Sequence, residues 1–404
     1  MWQFRQARDV KLYDKFILLV LSSAGLFSII NLMEWWFQKK HIVNFPLFVI
    51  LSTFIWYGIF RIILIWINYL GIKKPLTVPK PKEGLSVAIF TTSAPGEPVS
   101  MYEKTLAALR NVTYPHTTYL LDSTQDDAFR AVAEKYGAVY LDLANLPGAK
   151  AGKVNKALSM TTEEFILILD PDHIAFPNFL DQILGFFEDE KVGFVQVSQG
   201  YYNQYRSFTA AGAAEQTYSF YGPTQMGLHG FGAPVAIGAN CTFRRKAFES
   251  IGGHAEALAE DLVTSMRIHA AGWKSVYNPV IVNRGLVPED FGSFAKQQLK
   301  WARGVFEVLF CGLPTVVSQV YLLAKILLWC YFILLFYRID DLVFHYDTAV
   351  IFYDRDYSGE YELCRIFNKR YTDSRHCPSH LSLCPKIHGT SGNGKGIPLA
   401  RNDT

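Results

Sequence analysis

Two long apolar runs near the N-terminus constrain the fold of this chain more than any other feature. Residues 16–33 and about 45–70 are apolar over roughly the 20 residues that a helix needs to cross a bilayer. No small-residue cleavage site follows the first run, and the Trp35-Trp36 pair after it is typical of an aromatic interface belt rather than of a signal peptide. The runs predict a transmembrane helical hairpin over residues 1–72, with buried core helices as the alternative.

Basic residues flank these runs unevenly. The residues before the first run are Arg5, Arg8, Lys11 and Lys15, those after the second are Lys73, Lys74, Lys80 and Lys82, and those in the turn between are Lys39 and Lys40. Because Lys and Arg concentrate on the cytoplasmic side of membrane proteins, this placement predicts a cytoplasmic N-terminus and a cytoplasmic middle domain. We expect an integral membrane protein, such as one of the bacterial inner membrane, with membrane lipid as a partner.

Net charge and cysteine usage restrict the other partners. The net charge is only +3, which implies no general surface for polyanions and hence no nucleic acid partner. The six cysteines include no CxxC pair, which favours a reducing compartment over a disulfide framework.

The middle of the chain, residues 84–290, alternates short β-branched runs with amphipathic stretches, and this pattern predicts an α/β domain. The runs 117–122 and 165–170 read as buried strands that end on Asp122 and Asp170. Because ligands of open parallel sheets bind beyond the carboxyl ends of the strands, we expect both carboxylates in one cleft.

Asp170-Pro171-Asp172 has the chemistry of a metal site. Two carboxylates one residue apart can share a hard divalent cation, Mg²⁺ or Mn²⁺, which takes its remaining ligands from a diphosphate. Such a cation suits a nucleotide-sugar donor, whose diphosphate leaving group gains charge. A solvated turn is the alternative for Asp170 and Asp172, and a helix cap is the alternative for donor binding by Asp122.

Two further segments contain charged residues that could take part in binding or catalysis. The stretch 147–153, before a predicted helix over 153–160, contains small residues and Lys150, which can contact a phosphate; a surface loop is the alternative. Glu260-Asp261 opens a predicted helix that runs to about 271. One interpretation is that these carboxylates interact favourably with the dipole of the helix at its N-terminus. The other is that Asp261 accepts the proton of an attacking hydroxyl as a general base.

The segment 291–312 precedes another apolar region. It places Gln297, Lys300 and Trp301 within about one and a half helical turns, and an indole with an amide and a cation can hold a sugar chain. An interfacial amphipathic helix is the other interpretation, and both can hold. Residues 313–338 predict a third transmembrane helix.

In order and spacing these motifs resemble those of the family 2 glycosyltransferases of the cellulose synthase type, which include cellulose, hyaluronan and chitin synthases. The family pattern is an Asp at a strand end, then DxD, then an E-D pair, then QxxRW. The matching residues are Asp122, Asp170 and Asp172, Glu260 and Asp261, and Gln297 to Trp301. The flanking Ala149 to Gly152, Gly238 to Asn240 and Gly285 to Glu289 are similar to further family segments.

The resemblance implies a GT-A, Rossmann-like nucleotide-diphospho-sugar transferase domain with flanking transmembrane helices. It implies an inverting transfer from a UDP-sugar donor to a polysaccharide acceptor, with Mg²⁺ or Mn²⁺ as cofactor. Asp261 is then the catalytic base. The implied donor-binding residues are Glu97, Asp122, Lys150 and Asp170, the metal ligands Asp170 and Asp172, and the acceptor-binding residues Gln297, Lys300 and Trp301.

Three departures from the family pattern stand out. Ser93 to Glu97 replaces the usual first-strand turn, so that only the acidic Glu97 matches. Lys300 stands where Arg is usual, which keeps the charge but loses bidentate contacts. Residues 339–404 are polar and irregular where the family continues with membrane helices, which predicts a truncated or frame-shifted tail.

The main hypothesis is therefore a membrane-bound transferase that extends a β-linked polysaccharide, together with export or channel subunits. A non-processive transferase that forms a glycolipid is one alternative, and an inactive or truncated membrane subunit is another.

Overall fold

The computed structural model describes residues 10–308, except 76, 145, 147 and 148. The predicted span 313–338, the predicted tail 339–404, and Gly148 of the Lys150 segment lie outside the described residues, as do positions 309–312 of the predicted interfacial segment.

Both N-terminal apolar runs are helices, α1 over Leu12–Trp36 and α2 over Phe45–Leu70. The Asn44 side chain caps α2 by accepting a hydrogen bond from the Leu47 amide at 3.1 Å. The Trp36 indole, which donates to the Ser52 hydroxyl at 2.8 Å, joins the two helices into a hairpin.

By length and composition, both helices are candidate membrane spans, with mean hydropathies of 2.2 and 2.1. Only 6% of the apolar window of α1 and 22% of that of α2 is buried inside the protein. Their large apolar side chains are mostly exposed, unlike those of a core helix in a soluble domain.

The middle domain is built on one eight-stranded sheet with the order β3-β2-β1-β4-β7-β6-β8-β5. The strands are β1 Val87–Thr92, β2 Thr117–Asp122, β3 Val139–Asp142, β4 Phe165–Ile168, β5 Ile174–Ala175, β6 Val192–Tyr201, β7 Cys241–Arg244 and β8 Lys274–Gly285. Strands β1 to β4 are mutually parallel, whereas β7 pairs antiparallel with both β4 and β6. Strands β1 and β4 are buried along their whole length because helices cover both faces of the sheet.

The covering helices follow the strands in the order that an α/β domain requires. They are α3 Val99–Arg110, α4 Asp127–Tyr136, α5 Ala149–Met160, α6 Phe208–Ser219, α7 Gln225–Gly230, α8 Arg245–Ser250, α9 Glu260–Ala270 and α10 Phe291–Glu307. One core cluster contains Tyr102 and Leu106 of α3, and a second contains Val154 of α5 and Phe243 of β7. The sheet separates the two clusters, and its carboxyl edge is left for polar side chains.

Helix α5 begins four residues earlier than the sequence predicted. The predicted helix covered 153–160, but the structure has it from Ala149, whose φ of 47° lies in the left-handed region. Lys150 is therefore in the first turn of a helix and not in a loop, which was the wrong part of that prediction. The reason is that Ala, Lys and Val after Gly148 are compatible with a helix, so the Gly-containing stretch ends sooner than its composition suggests.

A continuous helical segment leads from α6 to α7 through one π-helical turn, Phe220–Thr224, which contains Pro223. Proline removes one helical hydrogen bond, and the Thr224 hydroxyl donates to the Ser219 carbonyl at 3.2 Å in its place. The end of α2 packs on this segment, where the Asn68 amide donates to the Thr224 carbonyl at 3.1 Å. The hairpin is thus joined to the middle domain through the C-terminal end of α2.

Candidate active site

The buried carboxylate of Asp122 terminates β2 at the carboxyl edge of the sheet. It accepts hydrogen bonds from the Ser93 hydroxyl, from the Thr124 amide at 3.1 Å, from the Gln125 amide at 3.2 Å and from the Tyr140 hydroxyl at 2.7 Å. Burial raises the pKa of Asp122, but these donors outweigh burial and hold the pKa below its ordinary value. Asp122 is therefore an ionised group that fixes the turn after β2.

A second acidic group lies just beyond β4. Asp170, Asp172 and His173 offer ligand atoms that all lie within 4.8 Å of one another. The Asp172 carboxylate is held by His173 Nδ1 at 2.8 Å and by the Leu286 amide at 3.2 Å. Burial raises the pKa of Asp172, but the His173 charge and these hydrogen bonds lower it overall.

The donor set of this group fits a hard divalent cation. Asp170 and Asp172 supply carboxylate oxygens, which Mg²⁺ and Mn²⁺ prefer, and both are partly exposed so that a diphosphate can approach. His173 is buried behind Asp172 and orients it, as residues behind a metal ligand commonly do.

Lys150 reaches this acidic group from α5. Its ammonium lies 2.5 Å from Asp170 Oδ1 and donates to the Gly238 carbonyl, also at 2.5 Å. Burial lowers the pKa of Lys150, but the Asp170, Glu260 and Asp261 carboxylates more than compensate, so the pKa lies above its ordinary value.

The carboxylates of Glu260 and Asp261 approach from the start of α9. The Asp261 side chain accepts a hydrogen bond from the Leu262 amide at 2.8 Å, and its other oxygen faces Gly238. Burial and the neighbouring Asp261 raise the pKa of Glu260 to about 7. Two adjacent carboxylates therefore share the site with Lys150, one of them near its midpoint of ionisation at neutral pH.

Helix α10 carries the motif from Gln297 to Trp301 and packs beside the start of α9. Gly304 packs on Ala259, the residue before Glu260. The Lys300 charge offsets part of the rise in the pKa of Glu260. Gln297, Lys300 and Trp301 are spaced i, i+3 and i+4, so they share one helix face. The adjacent Gln298 is buried in a reciprocal amide pair with Gln216 of α6, which fixes the rotation of α10.

Glu97 lies in the turn after β1. Its carboxylate accepts hydrogen bonds from the Ala94 amide at 2.8 Å and from the Tyr102 hydroxyl. These contacts stabilise the turn, and the charge of Glu97 also acts on Lys153.

The sequence reasoning did not select Lys153 as a site residue. Its buried ammonium donates to the Ser93 carbonyl and to the Ser123 hydroxyl at 3.0 Å, and burial lowers its pKa. Its spacing of three from Lys150 on a helix was the available signal, because such residues lie on one face. The predicted helix began only at residue 153 and left Lys150 outside it, so this spacing was not used.

Comparison with known proteins shows which proteins the chain resembles. Residues 165–353 match the model of the glycosyl transferase family group 2. The chain is 28% identical over 265 residues to the cellulose synthase catalytic subunit [UDP-forming] of Xanthomonas axonopodis pv. citri, covering 62% of this chain and 36% of the relative. It is 31% identical over 246 residues to the cellulose synthase 1 catalytic subunit [UDP-forming] of Komagataeibacter xylinus, covering 58% of this chain and 33% of the relative.

A solved structure is similar over a larger part of the chain. The mannosyltransferase of Pyrobaculum calidifontis, in complex with GDP-Man and Mn²⁺, superposes with a TM-score of 0.56 and 16% identity. The match covers 80% of this chain and 90% of that protein, which shows a shared fold.

The fold is of the GT-A type, as the sequence predicted. Over residues 165–353 the chain resembles the glycosyl transferase family group 2, and it is similar to cellulose synthase catalytic subunits, which confirms the resemblance predicted from its motifs. The match spans about a third of the length of these two cellulose synthase relatives.

Proposed function

We propose that this chain is a membrane-bound inverting transferase that moves a sugar from a UDP-sugar to a growing β-linked polysaccharide. The observation that carries the proposal is the grouping of Asp170, Asp172, Lys150 and Asp261 at the carboxyl edge of the sheet. Asp122 ends a strand at the same edge, two strands away from β4. The names of the two cellulose synthase relatives, which describe UDP-forming enzymes, support the donor class.

In this proposal Asp122 holds the uridine and Glu97 shapes the turn beside it. Asp170 and Asp172 hold the divalent cation, which neutralises charge on the diphosphate when bound. Lys150 contacts the diphosphate oxygens as a point charge.

Transfer then needs one base. The acceptor hydroxyl oxygen attacks the anomeric carbon, the bond from that carbon to the diphosphate oxygen breaks, and UDP leaves with the bonding electrons. Asp261 accepts the proton of the attacking hydroxyl, since its carboxylate faces Gly238 on the side where Lys150 lies. Gln297, Lys300 and Trp301 hold the acceptor end on the α10 face.

The decisive experiment incubates membranes that contain the full chain with a panel of labelled UDP-sugars. We expect label from one sugar to enter a product of high molecular weight. Label only in a lipid-sized product would replace the polysaccharide with a glycolipid, and no transfer from any UDP-sugar would overturn the proposal.

The membrane arrangement is part of the same proposal. The basic residues beside α1 and α2 support a cytoplasmic catalytic domain in contact with membrane lipid, and export or channel subunits would receive the polymer. A thiol reagent that cannot cross the membrane should label a cysteine introduced at exposed Lys156 only after intact cells are opened. Labelling in intact cells would place the domain outside.

A further inference from the structure

The Lys150 ammonium lies beside the acidic side chains of the candidate site. It lies 2.5 Å from Asp170 Oδ1, and its side chain is only 21% exposed. The Glu260 and Asp261 carboxylates act on the same ammonium from α9. One positive charge is therefore paired with Asp170, just beyond β4, and is also attracted by two carboxylates at the start of α9.

The helix that carries Lys150 does not favour this position. A positive charge in the first turn of a helix is repelled by the partial positive charge of the helix N-terminus. Lys150 and Lys153 both lie within the first five residues of α5, so the carboxylates opposite must provide the compensating attraction. The ion pair with Asp170 is thus a property of the site and not of the helix.

A divalent cation on Asp170 competes directly with this ion pair. Mg²⁺ binds carboxylate oxygens at about 2.1 Å, and a cation at that distance from Asp170 Oδ1 cannot coexist with an ammonium at 2.5 Å from the same atom without strong repulsion. A diphosphate relieves the conflict because it offers new oxygens to both cations.

We propose that Lys150 is the counter-ion of the donor-free site, and that it exchanges Asp170 for the diphosphate when metal and nucleotide bind together. The proposal rests on the proposed function for the identity of the nucleotide. Lys suits this exchange because its ammonium sits on a long flexible stem and needs no fixed bidentate geometry. The metal alone then binds weakly, and the nucleotide strengthens metal binding.

The test measures Mn²⁺ binding to the purified full chain in detergent, with and without UDP, by isothermal titration calorimetry. In Lys150→Met, Mn²⁺ alone should bind at least about tenfold more tightly than in the unaltered chain, because a like charge beside the cation is gone. UDP in saturating Mn²⁺ should bind at least about tenfold more weakly, because a phosphate contact is lost. Lys156→Met, an exposed lysine on the same helix, should change neither affinity.

Unchanged or weaker binding of Mn²⁺ alone to Lys150→Met would overturn the exchange. If that variant does not fold, Lys150→Arg serves instead: it retains the charge and should keep Mn²⁺ binding weak, whereas tight Mn²⁺ binding would overturn the proposal. Failure of the unaltered chain to bind UDP would overturn the proposed function, while tighter Mn²⁺ binding to Lys150→Met would still support the counter-ion role.

Discussion

At the scale of single residues, the site consists of carboxylates whose environments differ sharply. Asp122 is held ionised by hydrogen-bond donors, whereas burial and the charge of Asp261 raise the pKa of Glu260 to about 7. Two carboxylates at the same edge of the sheet thus differ in protonation behaviour, because each faces different neighbours.

Asp261→Asn should abolish sugar transfer, with a loss of at least about a thousandfold, while leaving UDP binding nearly intact. The amide cannot accept the hydroxyl proton but has almost the same shape. Transfer rate and UDP affinity measured on the same preparation check this. Retained turnover would remove Asp261 as the base.

Removing divalent metal with a chelator should weaken UDP binding strongly, because the carboxylates of Asp170 and Asp172 then repel the diphosphate. Titration of UDP before and after metal removal, with Mn²⁺ added back as the control, measures the effect. A UDP affinity independent of metal would contradict the role given to these two carboxylates.

Glu260→Gln should alter the pH dependence of stability. The folded-state pKa of Glu260 is raised from 4.5 to about 7, so its contribution to stability is present below pH 4.5 and is lost as pH rises through 7. The glutamine variant, which cannot ionise, should match the unaltered chain near pH 4.5 and have a Tm higher by at least about 2 °C at pH 8. Thermal unfolding without metal tests this, and equal Tm values at pH 8 would contradict the shift.

At the scale of elements, the position of the helices decides which side chains meet. Helix α5 starts at Ala149 and thereby carries Lys150 to Asp170, and α10 is oriented by the buried Gln216–Gln298 pair. The π-helical turn between α6 and α7 leaves the Thr224 carbonyl to Asn68 of α2.

Asn68→Ala should therefore destabilise the join between hairpin and domain. The Thr224 carbonyl loses a donor in a buried place, which typically costs about 1–3 kcal/mol. Unfolding in detergent measures the loss. Asn31→Ala, where the amide donates to the Phe27 carbonyl of its own exposed helix, is the control and should cost less; an equal cost would contradict the role of Asn68.

At the scale of the whole molecule, an apolar hairpin is joined to a polar α/β domain. The exposed apolar surfaces of α1 and α2 require a covering, and their length matches a bilayer. This arrangement supports the proposal that transfer takes place beside a membrane.

The full chain should therefore stay with the membrane fraction after an alkaline carbonate wash, which strips proteins held only by charge. Immunoblots of pellet and supernatant check the result, with a peripheral protein of the same cells as control. Release into the supernatant would contradict membrane spanning by α1 and α2.

Much of this architecture can be predicted from local sequence patterns. Apolar runs of bilayer length, alternating strands and helices, and strand ends at Asp122 and Asp170 depend on the periodicity and composition of neighbouring residues. The helical hairpin and the α/β sheet were predicted for that reason. Boundaries were less accurate, as the early start of α5 shows, because helix ends depend on only a few residues.

The ion pairs and pKa values of the site depend instead on contacts between parts of the chain that are distant in sequence. Lys150 meets Gly238, 88 positions away, and the Glu260 carboxyl is tuned by burial together with Asp261, Lys150 and Lys300. Such contacts have no local signature, since burial and charge separation exist only once the sheet and its helices are packed. The motifs of the chain predicted the candidate site residues, and packing decided which carboxylate Lys150 pairs with and which one has a pKa near neutral pH.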